Sequence, residues 1–434
     1  LASDSLASDS LASDSLLDAL ATDEPWEAVA AAFRTRMPGR AERIAVYDRL
    51  LADGVHRTIG AAVLAGRYRP APPAEAWLNK ADGRKKRVFL YEPADELLFR
   101  VVNRLVQPAA LGAAAPSCTS FLPGGGARAA FRRVLSDHDA GTKAALRLDV
   151  RDYFNSIDVD DLLSVLPEPF VNGPLGALLA GSLRDPRVLR RGRVVDGGRK
   201  GVMAGTPLAP MLATLYLRDL DQEIAGSGAT YARYSDDLLV LAAPQEISAL
   251  EAFIRDQLTR RGLVVNEEKS RAAAPGHAWD FLGFRYERGA IALAPVTVRK
   301  FEAKTTRLAR RLLRWREQAA GSSGRALGAF VRRVNRRVYG VAADRTEFSW
   351  ATWFLPLLDR ADDLGRLDRH VQREGRYAAT GCRRARSQRM VPYENLRDAG
   401  YLPLVTAYWT ARDGRDAYDT LVTRRTGVIR ASTR

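Results

Sequence analysis

The sequence predicts an α+β fold, and three features of it do so. One is a hairpin at residues 230–241, where two β-prone arms flank Tyr234-Ser235-Asp236-Asp237 and lift two adjacent carboxylates onto a tight tip. Another is the alternating strand Ala145-Leu146-Arg147-Leu148-Asp149-Val150, which ends on an acid. The third is helical periodicity over most of the remaining chain, strongest between Glu24 and Leu64 and after Pro295. An antiparallel sheet with helices segregated around it is the α+β solution to burying both kinds of face.

In chain order, residues 1–15 are three copies of Leu-Ala-Ser-Asp-Ser, and the acidic stretch 1–20 is expected to be disordered, with no function assigned. Residues 21–70 form a helical region whose apolar faces carry Trp26, Val29 and Phe33, then Ile44, Tyr47, Leu50 and Leu51. Lys80-Ala81-Asp82-Gly83-Arg84-Lys85-Lys86-Arg87 is a basic turn between strands at 76–78 and 88–90, followed by a helix through Leu97, Val101 and Leu105. Ser120-Phe121-Leu122-Pro123-Gly124-Gly125-Gly126 enters a helix at Ala127. Gly201 to Pro210 is a Gly-containing turn that opens a helix bearing Leu208, Met211, Leu212 and Leu215; its glycines admit close approach by another backbone or a nucleotide. Leu250, Phe253, Ile254 and Leu258 mark a helix stopped by Gly262, and Leu263-Val264-Val265 is expected as a strand leading into Asn266-Glu267-Glu268-Lys269. After Pro295 the chain turns helical and basic, and Gly321-Ser322-Ser323-Gly324 marks a turn. Trp350, Trp353, Phe354, Tyr401, Tyr408 and Trp409 then recur at helical spacing, which favours core over stacking on RNA.

Charge and composition narrow the function. With 434 residues the chain can hold two or three domains, and a formal net charge of +16 points to a polyanionic partner. No apolar run approaches the ~20 residues of a spanning helix, so no membrane partner is expected. Two cysteines and four scattered histidines offer neither a disulfide framework nor a zinc pattern, and a reducing cytoplasm is the expected location. If the strand ending in Asp149 pairs beside the hairpin, Asp149, Asp236 and Asp237 surround one point. Hard oxygen ligands of that kind hold Mg²⁺, and two such ions clamp the attacking and leaving oxygens of a phosphoryl transfer, which is polymerase chemistry.

The ordered set LDVRDYFNSID, GVMAGTPLAPMLATLYLRDLD, YSDD, LVVNEEKS and FLGF resembles a bacterial reverse transcriptase of the lineage found in group II introns, retrons and phage-defence systems. The resemblance spans residues 75–290. It implies a right-hand polymerase: fingers and antiparallel-sheet palm at 71–295, a helical thumb at 296–325, and a helical, RNA-binding C-terminal extension at 326–434. It implies RNA-directed DNA synthesis from deoxynucleoside triphosphates with two Mg²⁺ ions at Asp149, Asp236 and Asp237, the Val150 carbonyl being a further candidate ligand. It implies that Lys80 and Arg87 grip the triphosphate, that Phe154 rejects a 2′-OH, that Gly205 lies at the nucleotide, and that Lys269 protonates the departing pyrophosphate. The thumb face carrying Arg307, Arg310, Arg311 and Arg314 is expected on the nucleic acid. The partner so implied is a template or structured non-coding RNA, in a retron-like or antiviral defence role; the oligomeric state is left open.

This chain departs from the family at two places. Leu122-Pro123-Gly124-Gly125-Gly126 lacks two usual basic residues, and Met203, Ala204 and Ala209 replace the usual Pro-Gln-Gly and Ser-Pro pattern. Loss of the template-contacting Gln at Ala204 keeps open an untemplated or protein-primed polymerase, and a non-enzymatic RNA-binding scaffold or maturase is the other alternative. No cysteine cluster of an appended endonuclease and no second acid set of an RNase H are seen.

Overall fold

The computed structural model describes residues 16–37, 39–79, 83, 85–121, 125–319, 321–340 and 349–413. The Leu-Ala-Ser-Asp-Ser repeats, Lys80 and the chain after residue 413 lie outside them. The chain divides into two compact units, Leu1–Pro275 and Gly276–Arg434. The strands around Phe281 and Phe284 therefore group with the helices that follow them.

The first unit begins with helices α1 (Glu24–Arg36), α2 (Ala41–Ala52) and α3 (Val55–Leu64). Leu17 and Leu20, expected within the disordered stretch, are buried, and Trp26 donates its indole N–H to the Leu20 carbonyl at 3.2 Å. Two leucines in the otherwise polar run supply the anchor that its composition concealed. Strands β1 (Ala74–Asn79) and β2 (Lys85–Leu90) form an antiparallel hairpin, and helices α4 (Pro93–Ala113) and α5 (Ala127–Leu135) lead to β3 (Ala144–Asp149). Four helices follow: α6 (Tyr153–Ser156), α7 (Val159–Val165), α8 (Glu168–Val171) and α9 (Gly173–Arg184). Asp158 caps α7 by accepting from the amides of Asp160 and Asp161. The β4 (Arg187–Arg190) and β5 (Arg193–Asp196) hairpin joins the first hairpin in a sheet of order β2-β1-β4-β5.

Next come α10 (Ala209–Tyr216), α11 (Arg218–Gly226), the hairpin β6 (Thr230–Tyr234) and β7 (Asp237–Ala242), α12 (Ile247–Arg260) and β8 (Arg271–Ala273). The palm sheet has order β6-β7-β3-β8, and every pairing in it is antiparallel. Leu146, Leu148, Leu238 and Val240 are buried in the core shared with the helices. The expected strand at 263–265 is reduced to one bridge, Val150 with Val265. β3 has already ended at that point, so the segment crosses the strand's end, and the flanking edge at 145–147 is taken by β8.

The second unit holds a small antiparallel sheet of β9 (Trp279–Phe281), β10 (Phe284–Glu287) and β11 (Ala290–Leu293). It continues with the long helices α13 (Pro295–Gln318) and α14 (Ser323–Tyr339), then α15 (Trp350–Phe354), α16 (Asp362–Thr380), α17 (Arg386–Met390), α18 (Tyr393–Asp398) and α19 (Leu404–Arg412). Ser322 caps α14 through the Arg325 amide, as the expected turn at 321–324 allows. Trp350, Phe354, Tyr401 and Tyr408 are buried and Trp409 is exposed, so core is the fate of most of these aromatics. No described helix is long and apolar enough to cross a membrane.

Candidate active site

Register places the acids. β3 and β7 pair from Ala144↔Ala242 to Asp149↔Asp237, so these two carboxylates stand opposite each other at the strand ends. The β6–β7 pairing closes at Tyr234↔Asp237 and leaves Ser235 and Asp236 as the tip. Ser235 takes a left-handed φ of 61°, as tight hairpin tips require, and its amide donates to Ser120 Oγ. Beneath the tip, the guanidinium of Arg233 forms a two-pronged pair with Asp221 (2.7 and 2.6 Å) and also donates to the carbonyls of Thr214 and Ser235. Both side chains are fully buried, and removing one partner of such a pair costs about 3–5 kcal/mol. The hairpin is thus bolted to α10 and α11.

Two cations attend the three acids. Asp149, almost wholly buried, accepts from Lys269 Nζ at 2.7 and 2.9 Å and from Asn266 Nδ2 at 2.9 Å. Asp237 Oδ1 accepts from Arg147 Nη2 at 2.6 Å and Nε at 3.1 Å. Asp236 has no ion-pair partner among the described residues. Burial raises the Asp236 pKa above its usual value, and the charges of Asp237 and Asp149 raise it further. Burial also raises that of Asp237, with Arg147 pulling the other way.

As placed, no three described His, Cys, Asp or Glu side chains converge on a metal position. Both oxygens of Asp149 face Lys269 or Asn266, and one oxygen of Asp237 faces Arg147. In kind, the donors still fit a hard divalent ion: they are carboxylate oxygens, and the mutual repulsion felt by Asp236 is what a cation would relieve. An ion at Asp149 competes with the Lys269 ammonium for the same oxygens. The Val150 amide donates to the Asp236 carbonyl at 3.0 Å, which brings Val150 to the same strand end.

Phe154 is half-buried rather than core. Its ring meets Phe121 edge-on (6.3 Å), Phe121 in turn lies 5.6 Å from Tyr234, and Lys86 Nζ stands 5.3 Å from the Phe154 centroid. Arg87, expected to reach a triphosphate, is engaged elsewhere: it donates to Glu75 (3.0 Å) and to the carbonyls of Arg199 (2.8 Å) and Gly197 (2.7 Å). Its fork ties the two hairpins of the fingers sheet together, and Lys86 is the cation beside the ring. Gly205 also serves packing. At φ +102° its Cβ position lies 3.0 Å from the Phe89 carbonyl oxygen, and the Phe89 amide donates to Ala204 at 2.8 Å. Gly201 does the same for the Phe154 segment, since a Cβ there would fall 2.1 Å from the Phe154 carbonyl oxygen. Met203 and Ala204, the departures from the family pattern, are buried.

In the second unit the four arginines expected on nucleic acid, Arg307, Arg310, Arg311 and Arg314, line one groove of about 1370 Å³. Arg333, Arg336 and Arg337 of α14 line it too, and Glu317 is the sole acid among its described lining residues. Burial lowers the Lys304 and Arg337 pKa values, and neighbouring cations lower them further, so positive charge gathers here. Such a surface suits a phosphate backbone.

Sequence reasoning missed Arg147, Asn266, Lys86, Phe121 and the Arg233–Asp221 pair. Arg147 had a signal, because two residues before Asp149 on a strand means the same face. Asn266 lay inside a motif already singled out. Nothing local distinguishes Asp221 from a solvated helix acid.

Residues 86–286 match the family model of the reverse transcriptase (RNA-dependent DNA polymerase). No curated protein matches the chain. Among solved structures, an apo telomerase from Candida tropicalis truncated from its C-terminal domain is similar over 52% of this chain and 56% of that one, at 12% identity and a TM-score of 0.42. A telomerase from Candida albicans in complex with a TWJ fragment of telomeric RNA is similar over 85% of this chain and 68% of that one, at 10% identity and a TM-score of 0.40. The chain thus spans little more than half the length of the first. With its palm acids in cross-strand register, the segment 86–286 is a reverse transcriptase (RNA-dependent DNA polymerase) domain.

Proposed function

We propose that the whole chain copies an RNA template into DNA, with two Mg²⁺ ions held by Asp149, Asp236 and Asp237. The single observation that carries this reading is the pairing of Asp149 with Asp237 beside the unpaired Asp236, inside a reverse transcriptase domain. When bound, the two ions supply a clamp on the attacking and leaving oxygens. The protein's own residues do the rest. Arg147 and Asn266 orient two of the carboxylates, Phe154 closes the space a 2′-OH needs, and Lys86 offers charge to a triphosphate. Lys269, held at Asp149, is the proton donor to departing pyrophosphate. The groove lined by α13 and α14 grips the nucleic acid by its backbone.

The motif resemblance further supports a bacterial, retron-like or antiphage enzyme that works with a dedicated structured RNA in the cytoplasm. One observation favours a second reading, untemplated synthesis: Ala204 stands buried where related enzymes offer a Gln to the template. Primer extension with Mg²⁺ on a defined RNA template, followed by product sequencing with and without co-purifying RNA, tests both. Complementary product supports copying; product unrelated to any RNA supplied or bound overturns it in favour of the second reading.

A further inference from the structure

A second basic cleft lies in the C-terminal unit, outside the reverse transcriptase domain. It encloses about 640 Å³ against α16 and the segment leading into α17. Arg366, Arg369, Arg373 and Arg376 recur along α16 at spacings of three and four residues, so they share one face and form a ladder of ~15 Å. Arg384 closes the far side.

The acids nearby are already used. Glu302 pairs with Arg366 (3.1 Å), and the buried Glu374 takes both prongs of Arg383 at 3.0 and 2.8 Å. Arg369, Arg376 and Arg384 have no carboxylate partner among the described residues. Arg376 is only 8% exposed; it spends its Nε on the Val391 carbonyl at 2.9 Å, and burial lowers its pKa. A guanidinium buried without a counter-ion is costly unless an anion completes it. His370 is buried and its pKa is also lowered by burial, so its neutral ring donates from Nε2 to the Glu302 carbonyl (3.1 Å) and accepts at Nδ1 from Arg373 (3.0 Å). That bond aims Arg373.

We propose that this cleft binds the phosphate backbone of an RNA segment, as a second anchoring site distinct from the groove lined by α13 and α14. Planar forks on a helical ladder match a row of phosphate oxygens. Among the described lining residues none is Phe, Tyr or Trp, and guanidinium groups dominate, which favours contact with the backbone over the bases. The proposal borrows only the identity of the polyanion from the polymerase reading, and its test reads binding, whether or not the chain extends a primer.

Full-length protein carrying Arg369→Gln with Arg384→Gln is titrated against a fluorescein-labelled single-stranded RNA at several salt concentrations. Both side chains are exposed, so the thermal melt checks that folding is kept. Loss of two phosphate contacts should reduce the slope of log affinity against log salt by about 1.4. The paired lysine variant, Arg369→Lys with Arg384→Lys, should restore most of it. A charge-matched control on the same unit, Arg360→Gln with Arg397→Gln, should leave the slope unchanged. The proposal is overturned if the test variant keeps the wild-type slope, if the control lowers it equally, or if the test variant loses only binding to phosphatidylserine vesicles.

Discussion

The palm and the C-terminal unit handle charge in opposite ways. In the palm, three acids stand against two cations, Arg147 on β3 and Lys269 in the turn before β8, and each of Asp149 and Asp237 is held by named donors. In the C-terminal unit, arginines crowd two clefts that each carry one acid among their described lining residues, Glu317 and Glu302. Position is what the palm supplies, because nucleotidyl transfer needs fixed oxygens. Unbalanced charge is what the C-terminal unit supplies, because sequence-independent affinity needs counterion release and little geometry. On the proposed function, one chain separates chemistry from grip.

Asp149→Asn should break the palm side of that comparison most severely. It removes a hard ligand and strands Lys269, so single-nucleotide extension should fall at least ~10³-fold, while RNA affinity by anisotropy holds. Neutralising Arg310, Arg311 and Arg314 together should break the other side. The salt slope of RNA binding should drop by about 2–3, the value for three lost phosphates. An unchanged slope would remove α13 from the binding surface.

A finer cut concerns Phe154. If its ring closes the 2′ space, Phe154→Ala should shrink the preference for deoxynucleotides by ~1–3 kcal/mol in single-nucleotide extension with each sugar. The ratio is read rather than the rate, since loss of packing lowers both sugars together. A wild-type ratio would make Phe154 packing alone.

The smallest effect is on stability. The Asp236 pKa is raised in the folded state, so its charged form costs more there than in the unfolded chain. Stability contributed by the protonated form is lost as pH rises through that folded value. At neutral pH without metal, Asp236→Asn should therefore raise the melting temperature, by about 1–2 °C if ~1 kcal/mol is relieved. At pH 3 the gain should vanish.

Much of this was legible because it repeats locally. The alternation at 145–149, the polar tip at 235–236 and the basic helix after Pro295 each announce their structure within a few residues, and all three formed as read. What escaped depends on partners far apart in the chain. Arg87 looked like a free cation in a charged turn, yet carbonyls more than a hundred residues away claim it. Gly205 looked available to a nucleotide, but the backbone of β2 occupies that side. The run at 263–265 had strand-like residues and no free edge to pair with. Leu17 and Leu20 were hidden by the polar repeat beside them.

The central claim is that the acids at the β3 and β7 ends are the seat of nucleotidyl transfer. Single-nucleotide incorporation by Asp236→Asn on a primed RNA template, with RNA binding measured on the same preparation, tests it most directly. Asp236 is the acid with no ion-pair partner among the described residues, so its loss disturbs the fold least. The expected result is incorporation at background with wild-type RNA affinity. Incorporation at the wild-type rate would contradict the assignment and move the catalytic centre elsewhere.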